Sequence, residues 1–170
     1  NIIKSFNDKR IKLIINKKNI GLSKSLNKGL KIATGKYIAR IDADDISKKN
    51  RLKYQLDYLE KNKDIGVLGT DIVIINEEKK TLNFLNFFKI FNQKFNLKLL
   101  FYKQKPDTHE RCLWFLLFKN CFYHSTVMFR KNLIKSVGGY KIRRSEDIDL
   151  WTRLINKTRF ANLNLILYLI

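Results

Sequence analysis

The sequence of 170 residues is short of acid, with 15 Asp and Glu against 35 Lys and Arg, and it holds one proline, one methionine, two histidines and two cysteines. Each scarcity excludes something. Cys112 and Cys121 have neither the CxxC spacing of a zinc or redox site nor the density of a secreted disulfide scaffold, which points to a reducing, cytosolic setting. No stretch reaches the roughly 18 uninterrupted apolar residues of a membrane span, and the closing run Leu163 to Ile170 is broken by Asn164. There is no signal-peptide pattern, internal repeat or low-complexity linker. The only methionine is Met128, and Asn1-Ile2-Ile3-Lys4-Ser5-Phe6 reads as the tail of an amphipathic element, so the expectation is a sequence that starts inside a domain.

What is present fits one domain. A hydrophobic content of 45% in a chain of this length supports one core rather than two. The formal net charge of +20 is compatible with nucleic acid, an anionic membrane surface or a phosphorylated substrate. The lysines are scattered, however, and no basic block interleaves with stacking aromatics, so nucleic acid is not an expected partner.

Ile11 to Ile15 is a short β-type run, followed by an Asn19-Ile20-Gly21 turn and Ser23 as an N-cap. Leu22, Leu26, Leu30 and Ala33 then form the apolar stripe of a helix closed by Gly35. Tyr37 to Ile41 reads as a buried strand ending abruptly in Asp42-Ala43-Asp44-Asp45. Ser47 caps a second helix with Leu52, Leu56 and Leu59 on one face, and Ile65 to Ile75 is β-rich. This alternation predicts an α/β sheet. Lys79 to Pro106 carries no acid and reads as an insertion or lid-like excursion. Asp107 and Glu110 have capping-box spacing ahead of the apolar run Leu113 to Phe118. Thr126 to Phe129 is strand-like, Lys131 to Val137 is a short helix closed by Gly138-Gly139, and Glu146 to Asn156 is a helix with Ile148, Trp151 and Ile155 inward. Leu163, Leu165 and Leu167 alternate as a final strand.

In so acid-poor a sequence, three acids fall within Asp42 to Asp45 and three within Glu146 to Asp149. Like charges repel, so a fold that gathers them offers a cation or uses the altered proton affinity, unless each trio simply sits at a positive helix N-terminus. Asp42 and Asp44 leave their strand at the edge where open α/β sheets bind ligands. Their hard oxygens suit Mg²⁺ or Mn²⁺ bridging to a diphosphate, whereas the glycine and later glutamate of an EF-hand loop are missing. His124 reads as a packed residue, His109 as an ordinary helix residue and Trp151 as core.

An ordered series of pieces resembles the family-2 glycosyltransferases. It comprises Asn19-Ile20-Gly21-Leu22-Ser23, Asn27-Lys28-Gly29-Leu30, Ala33-Thr34-Gly35-Lys36-Tyr37-Ile38-Ala39 and Ile41-Asp42-Ala43-Asp44-Asp45, then Arg51-Leu52, Gln55-Leu56 and Gly66-Val67-Leu68-Gly69. It continues with His124 to Arg130, Gly138-Gly139-Tyr140 and Glu146 to Leu154. The resemblance implies the GT-A fold, a Rossmann-like nucleotide-diphospho-sugar domain, here residues 1–170 as a partial catalytic domain lacking its first strands, with 79–122 on the variable acceptor side. It implies an inverting transfer from a nucleotide-diphospho-sugar to a hydroxyl of a glycan or lipid-linked acceptor, in cell-surface glycan synthesis at the cytoplasmic face of a membrane, with peripheral membrane association. By position, Asp42 contacts the ribose or metal, Asp44 ligates a divalent cation (Mn²⁺ or Mg²⁺), Asp147 is the general base and Glu146 lies on the acceptor side. Two departures stand out: the family's acidic segment after its second strand has no counterpart, and Leu26 replaces a frequent arginine, so this stretch alone is expected to bind donor weakly.

Two other classes remain open on the sequence. A metal-dependent phosphoryl-transfer enzyme of the haloacid dehalogenase type also places a DxD at a strand end, but wants Thr or Val where Ile46 stands. A basic module for nucleic acid or anionic lipid would use the charge and leave both acid trios unexplained.

Overall fold

The computed structural model describes residues 5–73, 105–142 and 144–169. The expected excursion Lys79 to Pro106 therefore lies outside the described residues apart from Lys105 and Pro106, as do Ile74 and Ile75.

The elements run α1 (Leu22–Ile32), β1 (Tyr37–Ala39), β2 (Ile46–Ser47), α2 (Arg51–Lys61), β3 (Ile65–Val73), α3 (His109–Leu116), a 3-10 turn (His124–Thr126), β4 (Met128–Arg130), α4 (Lys131–Ser136), α5 (Glu146–Leu154) and β5 (Arg159–Leu169). The sheet order is β1-β4-β3-β5-β2, with β3 and β5 parallel and the other pairs antiparallel. Eight of the nine residues of β3 are buried, as a central strand covered on both faces requires.

The period-2 alternation of a strand sorts the core into two layers. Val67 stands opposite Phe129 and Phe160 and enters the larger cluster with Phe122, Ile134, Leu150, Trp151 and Leu154. Leu68, one residue on, stands opposite Met128 and Ala161 and packs on the other face with Leu59 of α2. Helices on both faces of a mixed sheet make the expected α/β architecture.

Several local expectations change. Residues 11–15 are irregular, with Ile11, Leu13, Ile14 and Ile15 exposed, because among the described residues no strand offers them a ladder partner. Gly21, at φ 82°, takes the N-cap position of α1, and Ser23 instead donates its hydroxyl to Ile142 O. Ser47 belongs to β2, and Asn50 precedes α2. The buried face of α2 is Arg51, Gln55 and Leu59, while Leu52 and Leu56 are 54% and 40% exposed. Two long polar side chains go inward because carbonyls await them there. Arg51 Nη2 donates to Arg40 O at 2.8 Å, and Gln55 Nε2 donates to Leu68 O at 3.1 Å and Thr126 O at 2.9 Å.

Thr108 rather than Asp107 caps α3, its side chain accepting from Arg111 N at 3.4 Å. On α5 the buried stripe is Glu146, Leu150, Trp151 and Leu154, with Ile148 and Ile155 half-buried. Leu165 is exposed because the β3–β5 register jumps from Thr70↔Leu163 to Asp71↔Ile166, a bulge that breaks the alternation. Cys112 and Cys121 are buried free thiols, and burial pushes the Cys121 thiol up out of the reactive range. No helix among the described residues is long and apolar enough to cross a membrane.

Candidate active site

β1 delivers the first acids. Arg40 continues the β1 pairing through Arg40 N to Val127 O at 3.0 Å, and its carbonyl is held by Arg51, so the chain leaves the sheet from a fixed point. Residues 42–45 then form a turn, with Asp45 N on Asp42 O at 3.4 Å. The Arg40 guanidinium reaches over its neighbour and grips Asp42 in a fork, Nη1 to Oδ2 at 2.9 Å and Nη2 to Oδ1 at 2.7 Å. Asp44, at the exposed tip, makes no hydrogen bond or ion pair with the described residues.

α5 delivers the second set. Ser145, the residue before it, is the only described non-glycine residue at positive φ, at 53°, a conformation that costs free energy and collects at functional sites. Glu146, Asp147 and Asp149 lie in the first turn, where the helix dipole favours acids. Their fates diverge. Asp149 is tied to Arg153 by bonds of 3.1 and 2.6 Å, and Arg153 in turn holds Val137 O and Gly139 O, so this acid is structural. Glu146 and Asp147 face inward instead, their side chains 11% and 15% exposed.

His124 joins the two sets. Its Nδ1 lies 3.6 Å from Glu146 Oε1 and 4.0 Å from Asp147 Oδ2, and its Nε2 is 3.0 Å from Tyr140 OH. Burial, then the charge of Arg40, lower its pKa to about 4 against the opposing pull of Asp147 and Asp42, so the imidazole is neutral at physiological pH. Arg40 N bonds Val127 O, and Val127 N bonds His124 O, so the end of β1 is tied to the turn that carries this ring, while Glu146 and Asp147 approach the ring from α5. Burial pushes the Tyr140 phenol up as well, so it stays protonated and can donate to His124. His124 is indeed packed, between Tyr140 and Trp151, but it is packed between the two acid sets.

The structure thus brings together Asp42, Glu146 and Asp147 of the expected residues and leaves Asp44 at the rim. Sequence reasoning missed Arg40, Asn120, His124 and Tyr140 as members of the site. Arg40 was signalled by standing two residues before Asp42; Asn120 carried no spacing signal at all.

Among the described residues, no group of three or more His, Cys, Asp or Glu side chains is arranged to hold a metal ion. A lone, unpaired carboxylate such as Asp44 fits a different kind of site, in which a hard cation takes one or two protein oxygens and the rest from a diphosphate and water.

Residues 1–135 match the family described as Glycosyl transferase family 2. The chain belongs to that family. An uncharacterised glycosyltransferase of Methanocaldococcus jannaschii is 36% identical over 158 residues, covering 91% of this chain and 48% of the relative. The putative glycosyltransferase EpsE of Bacillus subtilis is 35% identical over 152 residues, 87% of this chain and 47% of the relative. The O-antigen biosynthesis glycosyltransferase WbnJ of Escherichia coli is 36% identical over 137 residues, 80% and 46%. The chain therefore spans about half the length of these family-2 relatives. Among solved structures, S. aureus TarS 1–349 in complex with UDP-GlcNAc superposes with a TM-score of 0.60 at 18% identity, covering 88% of this chain and 38% of TarS. The family-2 fold, GT-A, is the architecture expected from the sequence. Arg40, Asp42, Asn120 and His124 lie inside the matched residues 1–135, whereas Tyr140, Glu146 and Asp147 follow them.

Proposed function

We propose that this chain is the catalytic part of an inverting glycosyltransferase that moves a sugar from a nucleotide-diphospho-sugar to a hydroxyl of a glycan or lipid-linked acceptor in cell-surface polysaccharide synthesis. The observation that carries the reading is the approach of Glu146 and Asp147 to His124, on the turn whose Val127 carbonyl holds Arg40, the partner of Asp42. It stands within a family whose relatives include an O-antigen biosynthesis enzyme and whose fold is shared by TarS in complex with UDP-GlcNAc. In this reading residues 79–122 form the acceptor side, and the protein works against the cytoplasmic face of a membrane.

Asp42, fixed by Arg40, presents its carboxylate edge to the donor ribose or to the cation. Asp44 is the residue that would supply an oxygen to Mg²⁺ or Mn²⁺, and such a cation would offset the charge of the leaving diphosphate. Asp147 takes the proton of the acceptor hydroxyl as that oxygen attacks the anomeric carbon from the face opposite the diphosphate, inverting its configuration. Glu146 accepts a further hydroxyl of the acceptor and orients it. Neutral His124 adds no positive charge beside the proposed base.

The test is sugar transfer by the whole protein against a panel of nucleotide sugars, with Mn²⁺, Mg²⁺ or a chelator, comparing wild type with Asp44→Ala and Asp147→Asn. Turnover that needs the cation and falls by about 100-fold or more in both variants supports the assignment. Unchanged turnover in both, or activity confined to simple phosphate esters, overturns it.

A further inference from the structure

Asp147 is held from outside its own helix. Its Oδ2 accepts a hydrogen bond from the side-chain amide of Asn120, on the segment that joins α3 to the 3-10 turn. The other end of that amide fixes the direction of the bond. Asn120 Oδ1 accepts from Phe122 N at 3.1 Å, which leaves the NH₂ group, a donor only, toward the carboxylate.

The segment that carries Asn120 is anchored on every side. Lys105 Nζ donates to Asn120 O at 2.5 Å, and Asn162 Nδ2, on β5, donates to Cys121 O at 3.1 Å and to Pro106 O at 2.7 Å. Phe122 is 1% exposed and packs edge-on against Trp151, with ring centroids 5.2 Å apart, and against Phe160 at 5.6 Å. Trp151 lies one turn along α5 from Asp147. The loop therefore meets α5 twice, once through a side-chain hydrogen bond and once through an aromatic contact. Within the helix Asp147 Oδ1 accepts from Ile148 N at 2.9 Å, one of the free N–H groups of the first turn, but that contact does not account for the Asn120 amide on Oδ2, which bonds no N–H of the helix.

We propose that Asn120 is a positioning residue for the Asp147 base, its amide fixing the carboxylate so that the remaining lone pairs meet the acceptor hydroxyl. This rests on the assignment of Asp147 in the preceding section. The helix holds one oxygen through Ile148 N, and a single such bond leaves the carboxylate free to swing about it; the outer bond from Asn120 to the second oxygen removes that freedom. His124 and Glu146 lie nearby without a hydrogen bond to this carboxylate.

Asn120→Asp separates the two ends of the amide. An aspartate retains an oxygen for Phe122 N–H and nearly the same shape, but sets a second carboxylate against Asp147 in place of the donor. In the whole protein, kcat should fall about 100-fold at pH 7, with the donor KM within about threefold of wild type. The loss should shrink as the pH is raised to about 9, because two facing carboxylates hold a proton that leaves only at higher pH. If that variant fails to fold, Asn120→Ser, smaller and uncharged, should lower kcat about tenfold with the donor KM unchanged. Wild-type kcat in the variant that folds, or a loss that is equal at every pH in Asn120→Asp and accompanied by a raised donor KM, overturns the proposal. Asp147→Asn, measured alongside, separates the two levels. If it turns over normally, the base assignment has failed; if it is inactive while Asn120→Asp is normal, only the role of Asn120 has.

Discussion

Arg40 and Asp42, two residues apart where β1 leaves the sheet, face each other through a pair of hydrogen bonds of 2.9 and 2.7 Å. The arginine side chain is 10% exposed and the aspartate 45%, so the pair has a buried half that fixes and an open half that can bind. Replacing Arg40 by alanine should remove the fork that orients the Asp42 carboxylate. The expected result is nucleotide-diphosphate binding weakened about tenfold in calorimetry, since a charge-assisted hydrogen bond contributes roughly 1.5–3 kcal/mol. Arg40→Lys should recover only part of this loss, because an ammonium cannot reproduce the fork.

The state of His124 makes stability depend on acid. With its pKa lowered to about 4 in the fold and near 6.5 in the unfolded chain, the unfolded chain binds a proton first as the pH falls. The contribution is complete above about pH 6.5 and is lost toward pH 4, at up to about 1.4 kcal/mol per unit. Arg40 opposes protonation, whereas Asp42 and Asp147 favour it; Glu146 lies nearby and Tyr140 occupies Nε2. Urea midpoints measured from pH 7.5 to 4.5 should fall more steeply in wild type than in His124→Gln. Parallel slopes would place the histidine in a more hydrated setting than the one described.

Asn27 ties α1 to the turn beside the site. Its Nδ2 donates to Tyr140 O at 2.7 Å and its Oδ1 accepts from Tyr140 N at 2.9 Å, the two-way pattern of a strand pair made by one side chain. Gly139, at φ 71°, comes so close to Asn27 Oδ1 that a Cβ there would collide with it. Asn27→Ala leaves both backbone groups of Tyr140 without their partner and should lower stability by about 1–3 kcal/mol. Because Tyr140 carries the phenol on His124, the thermal midpoint and the acceptor KM should change together.

These pairings also show what the sequence could disclose. The α/β order, the acids at the end of β1 and the helix that begins at Glu146 follow from periodicity and local charge, so they were legible in the chain itself. The run Ile11 to Ile15 was misread because a strand needs a partner, and apolar content alone does not provide one. The inward face of α2 was misread for the opposite reason: Arg51 and Gln55 look like surface residues until the carbonyls of Arg40, Leu68 and Thr126 are placed above them. Asn120 and Asp147 are 27 residues apart, and no spacing rule joins them. The motif pieces Asn27-Lys28-Gly29 and Gly138-Gly139-Tyr140, separate in sequence, turn out to be the two halves of one contact.

Gly69 offers a test of how far the sheet supports the site. A Cβ at this position would collide with Asn162 Oδ1 and lie 2.8 Å from Phe122 Cδ1. Both neighbours hold the Asn120 segment, Asn162 through Cys121 O and Phe122 through its ring on Trp151. Inserting one methyl group into a packed core typically costs about 1–3 kcal/mol, so Gly69→Ala should lower the thermal midpoint by several degrees. The same displacement should reach Asp147, which lies two contacts away through Phe122 and Asn120, and reduce kcat more than donor affinity. Gly66→Ala provides the control: its Cβ would collide with Leu133 and Thr158, whose hydrogen bonds run to Ser136, Asp64 and Arg159 rather than to that segment. A comparable loss of stability with a smaller loss of kcat is expected there. Equal losses of kcat in the two variants would mean that Gly69 acts through stability alone.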